Sequence, residues 1–146
     1  MLITFSLTLG IVALCVVIHY EVLYRLSSFI GKLPISPRQQ VVTGVMLALG
    51  ARVIEIYIFA GGYYYALIYG NIGGFTGEVG VNNFLDCAYL SFVTYSTLGF
   101  GDIIPHGWVR FMVSTEAMTG LVQIAWTASF LFLQMEENWG HKRNEP

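Results

Sequence analysis

Apolar residues run without a charge from Leu2 to Ile18, close to the ~20 residues a helix needs to cross a bilayer. The pattern continues through His19, Tyr20 and Glu21 to about Leu26, which predicts a first membrane helix within residues 1–30. Gly31, Pro34 and Pro37 then break it, and residues 31–40 read as a connector. A second apolar stretch, from Val41 to about Tyr65, is interrupted by Arg52 and Glu55. Its far end is rich in tyrosine (Tyr57, Tyr63, Tyr64, Tyr65, Tyr69), as expected where a helix meets lipid headgroups. A third runs from about Trp108 to Met135, and Ala117 to Met135 carries no charge.

Between the second and third stretches lies a different pattern. Gly70 to Gly80 is a glycine-rich loop without lysine or arginine. Phe84 to Ser96 is apolar and aromatic but only about three turns long, too short to span. Such a segment fits a re-entrant helix shielded by protein, with Asn82, Asn83 and Asp86 as candidates to cap its start. The chain then passes through Thr97–Asp102 and a turn at Pro105 into the third span, and Glu136–Pro146 is a short polar tail.

Composition identifies the solvent. Charged residues are 11% of the 146-residue chain, against about 25% in an ordinary globular protein. Hydrophobic residues are 55% and the mean hydropathy is +0.64. A soluble domain of this size has too little interior to hide that much apolar side chain, so the partner implied is the lipid bilayer. The net charge is −2 and there is no basic run, so nothing points to nucleic acid. Cys15 and Cys87 sit in apolar segments without metal-ligand spacing and read as buried free thiols. No basic residue precedes the apolar run at Leu2, so the first segment reads as a retained helix rather than a cleaved signal. No nucleophile–histidine–acid set, metal cluster or phosphate loop is present, so neither an enzyme nor a cofactor is expected.

Basic residues orient the chain. Arg25, Lys32 and Arg38 flank the first connector, and Lys142 and Arg143 lie in the tail. Three spans put connector and tail on one side, so both are expected in the cytoplasm, with the N-terminus and the re-entrant loop outside.

Thr97-Leu98-Gly99-Phe100-Gly101-Asp102 then acquires a physical use. A pore must replace a cation's hydration shell with oxygens, and backbone carbonyls can do so. Aiming successive carbonyls at one axis requires left-handed residues, which glycine adopts without steric cost; Gly99 and Gly101 alternate as needed. Thr97 offers a hydroxyl as well as a carbonyl, and Leu98 and Phe100 direct side chains away from the axis to brace the loop. Asp102 would place negative charge near the outer mouth. The preceding helix aims the negative end of its dipole at mid-membrane. One chain supplies one wall, so a closed ring needs several chains.

Tyr95-Ser96-Thr97-Leu98-Gly99-Phe100-Gly101-Asp102 resembles the potassium channel pore signature, commonly Thr-Thr-Val-Gly-Tyr-Gly-Asp. The resemblance covers a pore module at 41–136 (outer helix, pore helix, filter, inner helix), preceded by the helix at 1–30 and connector at 31–40 and followed by a tail at 137–146. It implies an all-α membrane protein with three transmembrane helices plus a re-entrant pore helix and filter loop. It further implies a homotetramer in a bacterial inner or plasma membrane, passing K+ passively. The carbonyls of Thr97, Leu98, Gly99 and Phe100 and the Thr97 hydroxyl would hold the ions, and Gly120 matches the gating-hinge glycine. Leu98 replaces valine, Ser96 a threonine, and Phe100 the tyrosine whose phenol usually bonds the pore helix. Tyr89 and Leu90 stand where paired tryptophans are common. Two rivals are a weakly selective monovalent cation channel and a non-conducting scaffold on a pore fold.

Charges inside the spans are functional candidates. Arg52 and Glu55, three residues apart, suit a mutual ion pair or coupling to Glu116, or to His19 and Glu21, in gating or proton sensing. Glu116 is either a partner for the pore helix or a cation attractor in the cavity. Gly120 is either a hinge or a close-packing contact. Gly44 with Ala48, and Ala125 with Ser129, have the spacing of close helix packing. Trp108 and Trp139 mark interfaces. No span carries the repeated arginines of a voltage sensor.

Overall fold

A stripe of side chains at three- and four-residue spacing organises the first helix. Thr4, Thr8, Ile11, Cys15, His19, Leu23, Leu26 and Ile30 are buried along one face of α1 (Leu2–Ile30), the spacing that brings residues onto one side of a helix. The remaining faces present Leu2, Phe5, Leu9, Leu14, Val17 and Phe29 outward, as a lipid-facing surface does. The structure, a computed structural model, describes residues 2–30, 34–69, 73–77 and 80–140.

The second helix, α2 (Pro37–Tyr69), starts four residues earlier than the expected Val41. The proline that reads as a breaker sits at the first helical position, where a missing N–H costs nothing. Ser36 supplies the cap: Gln39 N donates to its Oγ at 3.4 Å and Ser36 N donates to Gln39 Oε1 at 3.0 Å, a capping box. The expected connector at 31–40 is therefore shorter, with 31–33 outside the described residues.

α3 (Phe84–Tyr95) has 12 residues, a rise of about 18 Å against the ~30 Å of a bilayer's hydrocarbon core. α4 (Val109–Gly140) follows, so the first residues of the expected tail at 137–146 continue this helix. Lys142, Arg143 and the rest of 141–146 lie outside the described residues, as does the side chain of Trp139. Among the described residues, helices α1, α2 and α4 are the three long and apolar enough to cross a membrane.

A short strand pair accompanies the helices. The glycine-rich loop and the Pro105 turn contain two strands, β1 (Gly73–Gly77) and β2 (Ile103–Gly107). They pair antiparallel from Gly73 opposite Gly107 to Gly77 opposite Ile103. With three glycines in five residues, β1 has too few side chains for an alternating pattern to show. The ribbon ties the two ends of the segment holding α3 and Thr97–Asp102 together, so that segment leaves and returns at one place.

The core joins all four helices. Ile11 and Cys15 of α1, Phe59, Tyr63 and Ala66 of α2, Cys87 and Leu90 of α3, and Val109 and Met112 of α4 form one buried cluster. Gly44 lets α2 approach Ile30, whose Cδ1 would lie 3.0 Å from a Cβ there, and Ala48 is buried beside it. Ala125 and Ser129 are exposed in the single chain.

Candidate ion-conduction site

The pore helix begins as the sequence suggests. Asn83 is the N-cap: Asp86 N donates to its Oδ1 at 3.0 Å, and Asn83 N donates back to Asp86 Oδ2 at 3.1 Å. Asn82 N donates to the same carboxylate at 2.8 Å. Three N–H groups at the helix start are thereby satisfied.

The C-terminal end sets the path of the candidate filter. Thr97 N donates to Thr94 O at 2.9 Å, and Leu98 N and Gly99 N donate to Val93 O at 3.0 and 3.4 Å. These bonds occupy carbonyls that a helix otherwise leaves unpaired and strap the loop to α3. Beyond them the backbone alternates. Thr97, Gly99 and Gly101 have φ of 60°, 54° and 80°, while Leu98 and Phe100 between them do not have positive φ. Positive φ at the two glycines is the left-handed backbone that glycine adopts without steric cost. Thr97 is the addition: a β-branched residue at positive φ is an outlier held by its surroundings. Leu98 and Phe100 are 63% and 67% exposed in the single chain.

The outer end has a brace that Phe100, lacking a hydroxyl, does not provide. Tyr89 of α3 donates its phenol to Asp102 Oδ2 at 2.6 Å, and Ile103 N donates to Asp102 Oδ1 at 3.1 Å. The bond to Asp102, with desolvation and the nearby charge, raises the Tyr89 phenol above its usual 10.0.

The inner end is held by Tyr95, two residues before Thr97 and 2% exposed. Its hydroxyl contacts Glu55 Oε2 of α2 and Gln123 Oε1 of α4. Glu55 also meets His19 Nδ1 of α1 at 3.0 Å, and His19 Nε2 lies 3.1 Å from Thr127 Oγ1 of α4. Arg52 does not pair with Glu55, correcting the expected ion pair. It donates instead to the Gln123 carbonyl at 2.9 Å and to Thr127 Oγ1 at 2.6 Å. Glu21 stays outside this cluster, bonded to Arg25 at 2.7 Å on the surface.

Glu116 is fully buried and turned to the pore helix, accepting from Tyr63 and Ser91. The single Ser91 hydroxyl proton is shared between Glu116 and Ile56 O, which lies 2.8 Å away. Of the two roles weighed for Glu116, the packing partner is the one the geometry displays. A Cβ on Gly120 would fall well inside 3.0 Å of the Tyr95 carbonyl oxygen, so close approach of α4 to the end of α3 already requires glycine there.

Sequence reasoning passed over Tyr95, Gln123 and Thr127. The signal was available: Glu116, Thr119, Gln123 and Thr127 recur at helical spacing within an apolar stretch, and all four are buried. Weighing charged residues alone hides such a polar face.

A protein-family model described as "Ion channel" matches residues 52–137, more than half of the chain. The chain belongs to that ion-channel family. The match begins at Arg52 and takes in the pore helix, the candidate filter and most of α4, while α1 and His19 precede it. No curated protein and no solved structure gives a significant match. The channel is thus an integral membrane protein whose re-entrant segment sits between α2 and α4.

Proposed function

We propose that the chain is one subunit of a homotetrameric potassium channel, with Thr97–Asp102 as its selectivity filter. K+ passes down its gradient, coordinated by the carbonyls of Thr97, Leu98, Gly99 and Phe100 and the Thr97 hydroxyl. The observation that carries this reading is the left-handed backbone at every second residue, 97, 99 and 101, directly after a strapped pore helix in an ion-channel family member. A closed ring of carbonyls needs copies about an axis. The exposure of Leu98 and Phe100 supports neighbouring subunits that cover them. The re-entrant loop and N-terminus face outward and the C-terminus inward, on the strength of Arg25 and Arg38 beside the first connector. Gly120, placed against the filter's base, would hinge α4 during gating.

A weakly selective cation pore is the second reading, favoured by Phe100, which has no hydroxyl to hold the outer filter. Purified protein in liposomes distinguishes them. Reversal potentials under opposed K+ and Na+ gradients should follow K+; equal permeability would leave only the weakly selective pore. Absence of any flux, with Gly99→Asp changing nothing, would point to a non-conducting scaffold.

A further inference from the structure

The helix that precedes the pore module reaches the base of the candidate filter through Glu55 and Tyr95. We propose that His19 of α1, acting through Glu55, positions Tyr95 and so holds the inner end of the candidate filter in its conducting shape. This rests on the reading of Thr97–Asp102 as a filter and adds to it a role for α1.

His19, Glu55, Tyr95 and Gln123 are 1%, 0%, 2% and 1% exposed, so water does not substitute for their contacts. Their protons can be placed. His19 has one partner at each nitrogen: with a proton on Nδ1 it donates to Glu55, and Nε2 accepts the Thr127 hydroxyl proton. Thr127 in turn accepts from Arg52. Tyr95 has one proton for two oxygens. Turning the Gln123 amide so that Nε2 donates to the Tyr95 hydroxyl frees that proton for Glu55. It also gives a partner to Nε2, which is otherwise buried without one. The result is a continuous chain from α1 through α2 to the last residue of α3, closed onto α4.

Removing any member leaves another buried polar group unpaired. Without the imidazole, Glu55 keeps only the Tyr95 hydroxyl as a side-chain donor, and its carboxylate draws on that one bond. Tyr95 is already fixed on its backbone side by Gly120, and the strap from Thr97 to Thr94 begins two residues on. A displaced Tyr95 ring therefore acts on Thr97, the strained residue at the inner end of the filter. Trp126, whose ring centroid lies 5.4 Å from that of His19, packs beside the imidazole.

The test uses the full chain in liposomes, with Tyr95→Phe, His19→Leu, the double variant and His19→Asn, whose amide can donate near the Nδ1 position. Tyr95→Phe and His19→Leu should each raise the Na+/K+ permeability ratio about five-fold or more, the scale of one unpaired buried group. The double variant should do no worse than either single one, because both break the same chain. His19→Asn should restore most of the selectivity, which a purely space-filling role would not do. Multiplying effects in the double variant, or a His19→Leu channel with unchanged selectivity, would overturn the proposal. Amide hydrogen exchange over residues 93–99 is read in parallel and does not depend on conduction. About ten-fold faster exchange in His19→Leu is expected; an unchanged rate refutes the support even if the protein carries no current. Absence of wild-type flux alone instead refutes the conduction reading.

Discussion

The two ends of the candidate filter are held by different means. At the inner end, Tyr95 is enclosed by residues from two other helices, its hydroxyl against Glu55 and Gln123 and its backbone against Gly120, with His19 of α1 behind Glu55. At the outer end, one exposed phenol, Tyr89, reaches Asp102 across 2.6 Å. Buried bonds have no water to replace them, while exposed ones compete with solvent. The difference teaches that the inner end resists change through packing and a connected polar chain, whereas the outer end depends on a contact that solvent conditions can weaken. Perturbations should therefore fall off in effect from the inner end to the outer.

The largest effect is expected at Gly120. Valine there would drive Cβ into the Tyr95 carbonyl, a backbone atom that cannot swing aside, at a cost of about 3 kcal/mol. Thermal unfolding in detergent should show a large drop in midpoint. Alanine at Gly50, where a Cβ meets nothing within 4 Å, should leave it nearly unchanged. Equal sensitivity at both positions would remove the close-approach account. Next comes Glu116→Leu, which strands the buried Tyr63 hydroxyl for about 1–3 kcal/mol, while Ser91 keeps the Ile56 carbonyl. Glu116→Gln retains an acceptor and should lose less. A glutamine variant as unstable as the leucine one would show that charge, not hydrogen bonding, matters at this position.

The contrast between the ends also shows what could be read from sequence. Spans, re-entrant helix, cap and glycine alternation were legible because each is a local pattern: apolar run length, Asn83 with Asp86, and Gly99 with Gly101. The supports were not, because they join residues far apart in the chain. His19 meets Thr127, and Tyr95 meets Glu55, only once four helices are packed. Arg52 and Glu55 illustrate the limit: their three-residue spacing suggests a pair, yet each finds a better-placed partner on another helix. Positive φ at Thr97 was equally hidden, since nothing local favours it in threonine and only the straps to Val93 and Thr94 impose it. The ribbon of β1 and β2 escaped because glycine carries no pattern.

Toward the outer end the effects shrink. Asn83→Ala removes the cap that receives Asp86 N and should cost about 1 kcal/mol. Far-ultraviolet circular dichroism during thermal unfolding reads it, and Asn83→Ser should recover most of the loss. If alanine and serine behave alike, the capping box does not hold the start of α3.

The smallest effect at neutral pH belongs to Tyr89→Phe, and pH makes it visible. The phenol's pKa is raised by its bond to Asp102, so the folded state favours the protonated form. Its contribution is then fully present below the ordinary value of 10.0 and declines as pH rises through the higher folded one. Above that point phenolate and carboxylate repel, and the brace becomes a liability. Wild-type channel should be slightly more stable than Tyr89→Phe at pH 7 and should lose that advantage in the alkaline range. The unfolding midpoints of the two proteins, compared from pH 7 to pH 11, should converge or cross. A constant gap across the range would mean that Tyr89 holds the outer filter by packing its ring, and that the outer end resembles the inner one more than its single hydrogen bond suggests.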